Sequence, residues 1–240
     1  MVLKSQIYRL YYYKAFGYKY IDDGFLLENT QNYFSSIENL NYELGVCQLC
    51  ELAKNRKNVI LPSGNLKSKI MFVFENPHFN DDIAGSPYNG QLGEKFLDIL
   101  SECCELEKDD FITTFLIKCN IPQNKKITRD ILLKCAPYIF SEINLVKPKL
   151  VVSFGELCSK ILLRNNNLPD MSVIHGSILT DSGISFLPTF DAKYIIANPS
   201  KFELFKNDLR KIVDFIWFIE ICKFAFLSLQ YHKVVVAKWV

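Results

Sequence analysis

From residue 69 onward, short apolar runs alternate with stretches of helical period, and this alternation limits the chain to few architectures. Lys69–Phe74 and Phe111–Ile117 read as strands separated by a helix over Gly93–Leu106, where Phe96, Leu97, Leu100, Cys103 and Cys104 recur at three- and four-residue steps. Thr128 is placed to cap a helix running to about Leu145, with Asp130 in its first turn and Pro148 as its stop. Leu150–Phe154 reads as a third strand ending at Gly155, followed by a helix over Glu156–Leu163. Val173–Leu179 and Ser185–Pro188 read as further strands, and Pro199 opens a last long helix. Strands alternating with helices predict a three-layer α/β/α fold around a central, mainly parallel four-stranded sheet. In such sheets ligands sit beyond the carboxyl ends of the strands, so the residues after each strand are where chemistry is expected.

The chain has 240 residues, 49% hydrophobic and 22% charged, enough for one substantial domain with extensions. We expect a helical extension over 1–44, the α/β domain over 45–220 and a tail over 221–240. The extension is rich in tyrosine between Ile7 and Tyr20, which reads as an amphipathic helix, with a base-stacking platform as the alternative. A net charge of +2 gives no global case for nucleic acid, so any such binding needs a local basic patch. Met1–Leu10 carries no apolar run of signal-peptide length, and Asp214, Glu220 and Lys223 interrupt the apolar stretch Ile212–Leu229. A cytoplasmic protein without a membrane span is the expectation.

Eight cysteines without a leader fit a reducing compartment and ligation better than disulfides. Cys103, Cys104, Cys158 and Cys222 lie among apolar neighbours and read as core thiols. Cys47-Gln-Leu-Cys50 precedes the first strand, Cys119 ends the second, and Cys135 falls in the Thr128 helix. This spacing allows an iron–sulfur cluster, a structural zinc or unligated core thiols.

Five segments in order resemble the family 4 uracil-DNA glycosylases over about residues 45–216. Lys69–Phe74 with Glu75-Asn76-Pro77-His78 is similar to the family's strand and GE-x-PG loop. Gly85-Ser86-Pro87-Tyr88-Asn89-Gly90 with Gly93 resembles G-x-P-[FY]-x-G-x-x-G, and Lys118-Cys119 with Pro122 resembles KC-R-P-P. Lys147-Pro148-Lys149 into Val151–Gly155 resembles the family's KP strand. Pro188-Thr189-Phe190, Tyr194-Ile195-Ile196 and Asn198-Pro199 look like PT-[FY]-HPSYLLRNP. The resemblance implies a 4Fe–4S cluster on Cys47, Cys50, Cys119 and Cys135. It also implies a monomer that flips a damaged nucleotide out of DNA and hydrolyses its N-glycosidic bond in base excision repair.

By the same resemblance, Asn76 holds the attacking water, Glu75 polarises it or shapes the loop, and Tyr88 stacks on the flipped base; His78, which replaces a Gly of the family's first loop, would narrow the pocket. Read as residues alone, Asn76-Pro77 is a turn after a strand and Tyr88 packs on Pro87. Lys125, Lys126 and Arg129, joined by Lys54, Arg56 and Lys57 if the cysteine loops meet, would hold phosphates; the alternative is a solvated loop. Two departures fall on the chemistry. Phe115 stands where the family reads uracil with an Asn amide, and Asp191 stands where it has a His. They imply weak or altered specificity for uracil or a related deaminated base. The alternative is an inactive 4Fe–4S DNA-binding protein on a glycosylase scaffold.

Overall fold

The computed structural model describes residues 14, 34–123, 125–181 and 183–218. The tyrosine-rich segment apart from Lys14, the 221–240 tail and Cys222 therefore lie outside the described residues. The strands are β1 (Ser63–Gly64), β2 (Ile70–Phe74), β3 (Ile112–Phe115), β4 (Leu150–Phe154), β5 (Leu179–Asp181) and β6 (Ile184–Thr189). The helices are α1 (Ile37–Gly45), α2 (Phe79–Ala84), α3 (Gln91–Cys104), α4 (Arg129–Val146), α5 (Glu156–Leu162), α6 (Met171–Ile174), α7 (Ala192–Ala197) and α8 (202–218).

The sheet is mixed and six-stranded, in the order β1-β3-β2-β4-β6-β5, rather than four-stranded. Its four inner strands are parallel, whereas β1 and β5 pair antiparallel at the two edges. Each edge strand is only two or three residues long, too short to stand out as an apolar run. The expected strand over Val173–Leu179 is corrected as well. Met171–Ile174 is helical, and the extended strand starts at Leu179. Gly176 divides the two with φ +68, a backbone setting that side chains rarely adopt, and a Cβ there would lie 2.2 Å from Asp208 Oδ1.

Alternation along the inner strands builds the three layers. Ile70 and Phe72 face α3 and α8, packing with Phe96, Leu100, Phe205, Leu209 and Ile212. Met71 and Val73 face the opposite way, toward Ile131, Cys135, Ile139 and Ile143 of α4 and Cys158 and Leu162 of α5. Thr128 caps α4 as expected, its hydroxyl accepting from Ile131 N at 3.2 Å. Leu40 and Leu44 of α1 pack with Phe34 on Tyr138 of α4, which delivers Cys47 to the helix that carries Cys135. Cys104 and Cys158 are core thiols, and Cys103 is half-buried against the same core.

Candidate functional site: a cysteine cradle beside an aromatic cleft

The four cysteines singled out by spacing converge. Cys119 and Cys135 are buried and Cys47 and Cys50 half-buried. Burial pushes the Cys135 thiol up to about 12, and the neighbouring Cys119 and Cys47 sulfurs push the same way. Burial likewise raises Cys119, opposed by Arg56 and reinforced by Cys50 and Cys47. Two donors are aimed at these sulfurs. The Lys118 N–H donates to Cys135 Sγ at 3.3 Å, and Arg56 Nη1 donates to Cys119 Sγ at 3.2 Å. Four neighbouring thiols, two of them met by fixed N–H donors, suit a group that binds thiolates and replaces their protons. Among the described residues no three His, Cys, Asp or Glu side chains close tightly enough around one point to hold a single metal ion.

Arg56, expected among the phosphate-facing residues, turns inward instead. Its Nη2 also donates to Cys47 O at 2.7 Å, tying the first cysteine loop to the end of β3. Lys54 and Lys57 remain exposed. The two cysteine loops do meet on the surface, through Lys125 Nζ and Glu51 Oε2 at 2.8 Å, with Lys126 and Arg129 exposed beside them.

Beneath the cradle lies a buried polar group that no sequence pattern announced. Lys118 Nζ lies 2.6 Å from Glu142 Oε1 and donates to Glu142 Oε2 at 2.8 Å and to Thr114 Oγ1 at 2.6 Å. All three side chains are nearly or fully inaccessible. Thr114 therefore faces the cysteine layer, opposite to Phe115, as strand alternation requires.

The second feature is a cleft of about 660 Å³ at the carboxyl ends of the strands, lined among others by Phe74, Asn76, His78, Tyr88, Phe115 and Asp191. Most of the residues singled out in the loops after the strands thus share one cavity. Asn76 Nδ2 donates to Pro77 O at 2.9 Å, and His78 heads α2, its N–H donating to Asp81 Oδ2 at 2.8 Å. Tyr88 does not merely rest on Pro87. Its ring stacks on Phe96 with centroids 5.8 Å apart, and its hydroxyl lies 2.6 Å from Thr113 Oγ1. Its φ of +67 is costly for an aromatic residue. Gly93 makes the turn possible, since a Cβ there would come within 2.4 Å of Tyr88 Cα.

Glu75 lies at the start of α5, where the Leu157 amide hydrogen-bonds its carboxylate. A Cβ on Gly155 would sit 2.8 Å from Glu75 Oε1 and 3.5 Å from Asp191 Cβ, so the two acids approach across this glycine. Burial holds the Glu75 carboxyl above its ordinary value, the Asp191 charge raises it further, and Lys193 and the Leu157 amide oppose the rise. Asp191 caps α7, accepting from Lys193 N at 2.7 Å. Phe115 is 4% exposed and pairs in register with Phe74, their rings 5.9 Å apart. Phe74, by its sequence a plain strand residue, stacks at 4.3 Å and 9° on Phe154.

Residues 61–215 match the family model described as the uracil DNA glycosylase superfamily. A type-4 uracil-DNA glycosylase of Saccharolobus solfataricus is 31% identical over 178 residues, covering 72% of this chain and 82% of the relative. Type-4 uracil-DNA glycosylases of Sulfurisphaera tokodaii and Thermotoga maritima are each 28% identical, over 74% and 70% of this chain and 83% of each relative. With an α/β fold of this kind and a match spanning most of its length, the chain belongs to the uracil DNA glycosylase superfamily.

Proposed function

We propose that the chain is a DNA glycosylase of base excision repair that hydrolyses the N-glycosidic bond of a deaminated base, acting as a monomer on a flipped nucleotide. The observation that carries this reading is the convergence of Asn76, Tyr88 and Asp191 on one cleft, with Glu75 next in chain to Asn76 and facing Asp191 across Gly155. The names of the type-4 relatives point the same way.

In the reaction, the oxygen of a water forms a bond to C1′ of the sugar. The C1′–N bond breaks with its electron pair leaving on the base, and the water gives up a proton. Asn76 orients the water. Glu75 accepts the proton, a task that suits a carboxyl raised toward neutrality by burial and by Asp191. Tyr88 offers its ring to the base, held against Phe96 so that stacking costs little reorganisation. Asp191 acts through Glu75 and through the capping of α7, which fixes the loop after β6.

Cys47, Cys50, Cys119 and Cys135 are the residues to hold a 4Fe–4S cluster, and burial of Cys119 and Cys135, each accepting one N–H, supports that assignment. When bound, the cluster supplies cross-links between the first cysteine loop, the end of β3 and α4. Lys125, Lys126 and Arg129 would then face DNA phosphates from the same region. Among the described residues no helix is long and apolar enough to cross a membrane.

The test is release of free base from oligonucleotides carrying uracil, hypoxanthine or xanthine, using protein purified with its cluster. Appearance of base and an alkali-labile abasic site is expected. DNA binding without release from any substrate would instead favour the inactive scaffold reading, for which Phe115 and Asp191 are the motivating residues.

A further inference from the structure

We propose that the adjacent buried acids Asp81 and Asp82 of α2 couple the cysteine cradle to the cleft, each clasping one side through backbone N–H groups. They are positioning residues, through which a change at the cradle reaches the loops of Asn76 and Tyr88. The inference rests on the glycosylase reading and adds how its site is held in shape.

The cradle side begins at Arg56, whose guanidinium binds Cys119 Sγ and Cys47 O. A few residues on, Ile60 N donates to Lys118 O at 2.8 Å, next in chain to Cys119. Between these two anchors the backbone turns its donors to Asp82. Lys57 N lies 3.1 Å from both carboxylate oxygens, and Asn58 N donates to Oδ1 at 3.0 Å. Asn58 Nδ2 adds a bond to Asp82 O at 2.7 Å.

The cleft side belongs to Asp81. Its Oδ2 accepts from His78 N and its Oδ1 from Asn89 N, both at 2.8 Å. His78 lies two residues after Asn76 and Asn89 directly follows Tyr88, so one carboxylate pins both loops. Packing on both flanks is close. A Cβ on Gly90 would meet Asn80 Nδ2 at 2.4 Å, and one on Gly85 would lie 3.4 Å from Asn58 Cγ.

Successive helix positions point about 100° apart, which lets neighbours in sequence serve different partners. The two acids are only 6% and 4% exposed, so water competes little for the bonds to their charge. With six residues, α2 is too short to hold a helix by itself. Its place is set by the two clasps, and it shifts as a unit when either partner does. Displacing Asp82 therefore displaces Asp81, and with it the N–H groups beside Asn76 and Tyr88.

Full-length protein carrying its cluster is compared as wild type, Asp81→Ala, Asp82→Ala and the double variant. Two signals are followed: bleaching of the visible absorption by a chelator, and amide hydrogen exchange over residues 76–90, with β4 as internal reference. Asp82→Ala should raise exchange over 76–90 by about fivefold or more and leave β4 unchanged. Asp81→Ala, whose side chain bonds only the cleft loops, should hasten bleaching about as much, because coupling is reciprocal. The double variant should do no more than the stronger single one, since a chain of contacts is broken by its first cut. Acids that merely stabilise the fold would give summed effects instead. Wild-type bleaching in Asp81→Ala, unchanged exchange over 76–90 in Asp82→Ala, or additive effects would each overturn the proposal. Should Asp82→Ala fail to fold by circular dichroism, Asn58→Ala takes its place with the same expected directions, since it cuts the side-chain bond to Asp82 O alone and spares the carboxylate. Single-turnover base release by the same proteins should fall by about ten- to a hundredfold in both single variants. If wild type releases no base, the glycosylase reading fails, and bleaching and exchange decide the coupling without it.

Discussion

Arg56 and Cys119 are joined by a hydrogen bond from Nη1 to Sγ at 3.2 Å, while Nη2 of the same guanidinium holds Cys47 O at 2.7 Å. One planar side chain thus fastens two of the four cysteine-bearing positions to each other. Hydrogen bonds involving a charged group contribute about 1.5–3 kcal/mol. Arg56→Ala should lower stability by about that amount and hasten bleaching of the visible cluster absorption by a chelator. Arg56→Lys should not restore it, because a single ammonium cannot serve both acceptors in the fork geometry. Equal bleaching rates in wild type and both variants would remove Arg56 from this role.

The ion pair of Lys118 with Glu142 lies beneath the cradle, with 1% and 0% of the two side chains exposed. Removing one partner leaves a buried charge, so Glu142→Leu should cost about 3–5 kcal/mol in denaturant unfolding. Replacing both, Lys118→Met with Glu142→Leu, should recover most of that loss. A double variant as unstable as the single one would show that the charges themselves are required.

Glu75 gives a pH dependence with a defined sign. Its carboxylate is the active form, and burial with the Asp191 charge raises its pKa above the ordinary carboxylate value. Base release should therefore fall as pH drops through a point higher than for a free glutamate. Asp191→Asn removes the opposing charge and should move that acid limb downward. Glu75→Gln should lower the rate by about a hundredfold or more and flatten the limb. A profile that ignores Asp191→Asn would break the coupling.

The DNA-facing assignment predicts a salt effect. Lys126→Glu with Arg129→Glu should weaken binding to any DNA sequence and reduce the slope of log K against log salt by about 2, since each lost phosphate contact removes about 0.9. Lys125→Glu is a less clean probe, because Lys125 already pairs with Glu51. Unchanged salt dependence would place the phosphate contacts elsewhere.

The inner sheet was legible because its strands are continuous apolar runs buried on both faces, as at Ile70–Phe74 and Leu150–Phe154. The edge strands were not, since Ser63–Gly64 and Leu179–Asp181 hold place by pairing with a neighbour rather than by a pattern of their own. The residues that the family resemblance marked as ligands, Cys47, Cys50, Cys119 and Cys135, do come together in space. Arg56 was misread because charge alone does not say whether a guanidinium meets water or sulfur. Phe74 passed unnoticed for a similar reason. A phenylalanine ending a buried strand looks like core, and only its register with Phe115 shows it lining the cleft. Glu142 sits amid the apolar residues of α4, and one acid there gave no hint of Lys118, 24 residues away.

Hydrolysis of an N-glycosidic bond in the cleft that Asn76 lines is tested most directly by single-turnover base release from wild type and Asn76→Ala. With enzyme in excess over a damaged oligonucleotide, the variant should release base about a hundred- to a thousandfold more slowly, the loss expected when one positioned polar group is removed from a reacting centre. Its affinity for the DNA should stay within about threefold of wild type, because phosphate contacts dominate binding. Equal release rates for the two proteins, or no release by wild type, would contradict the account.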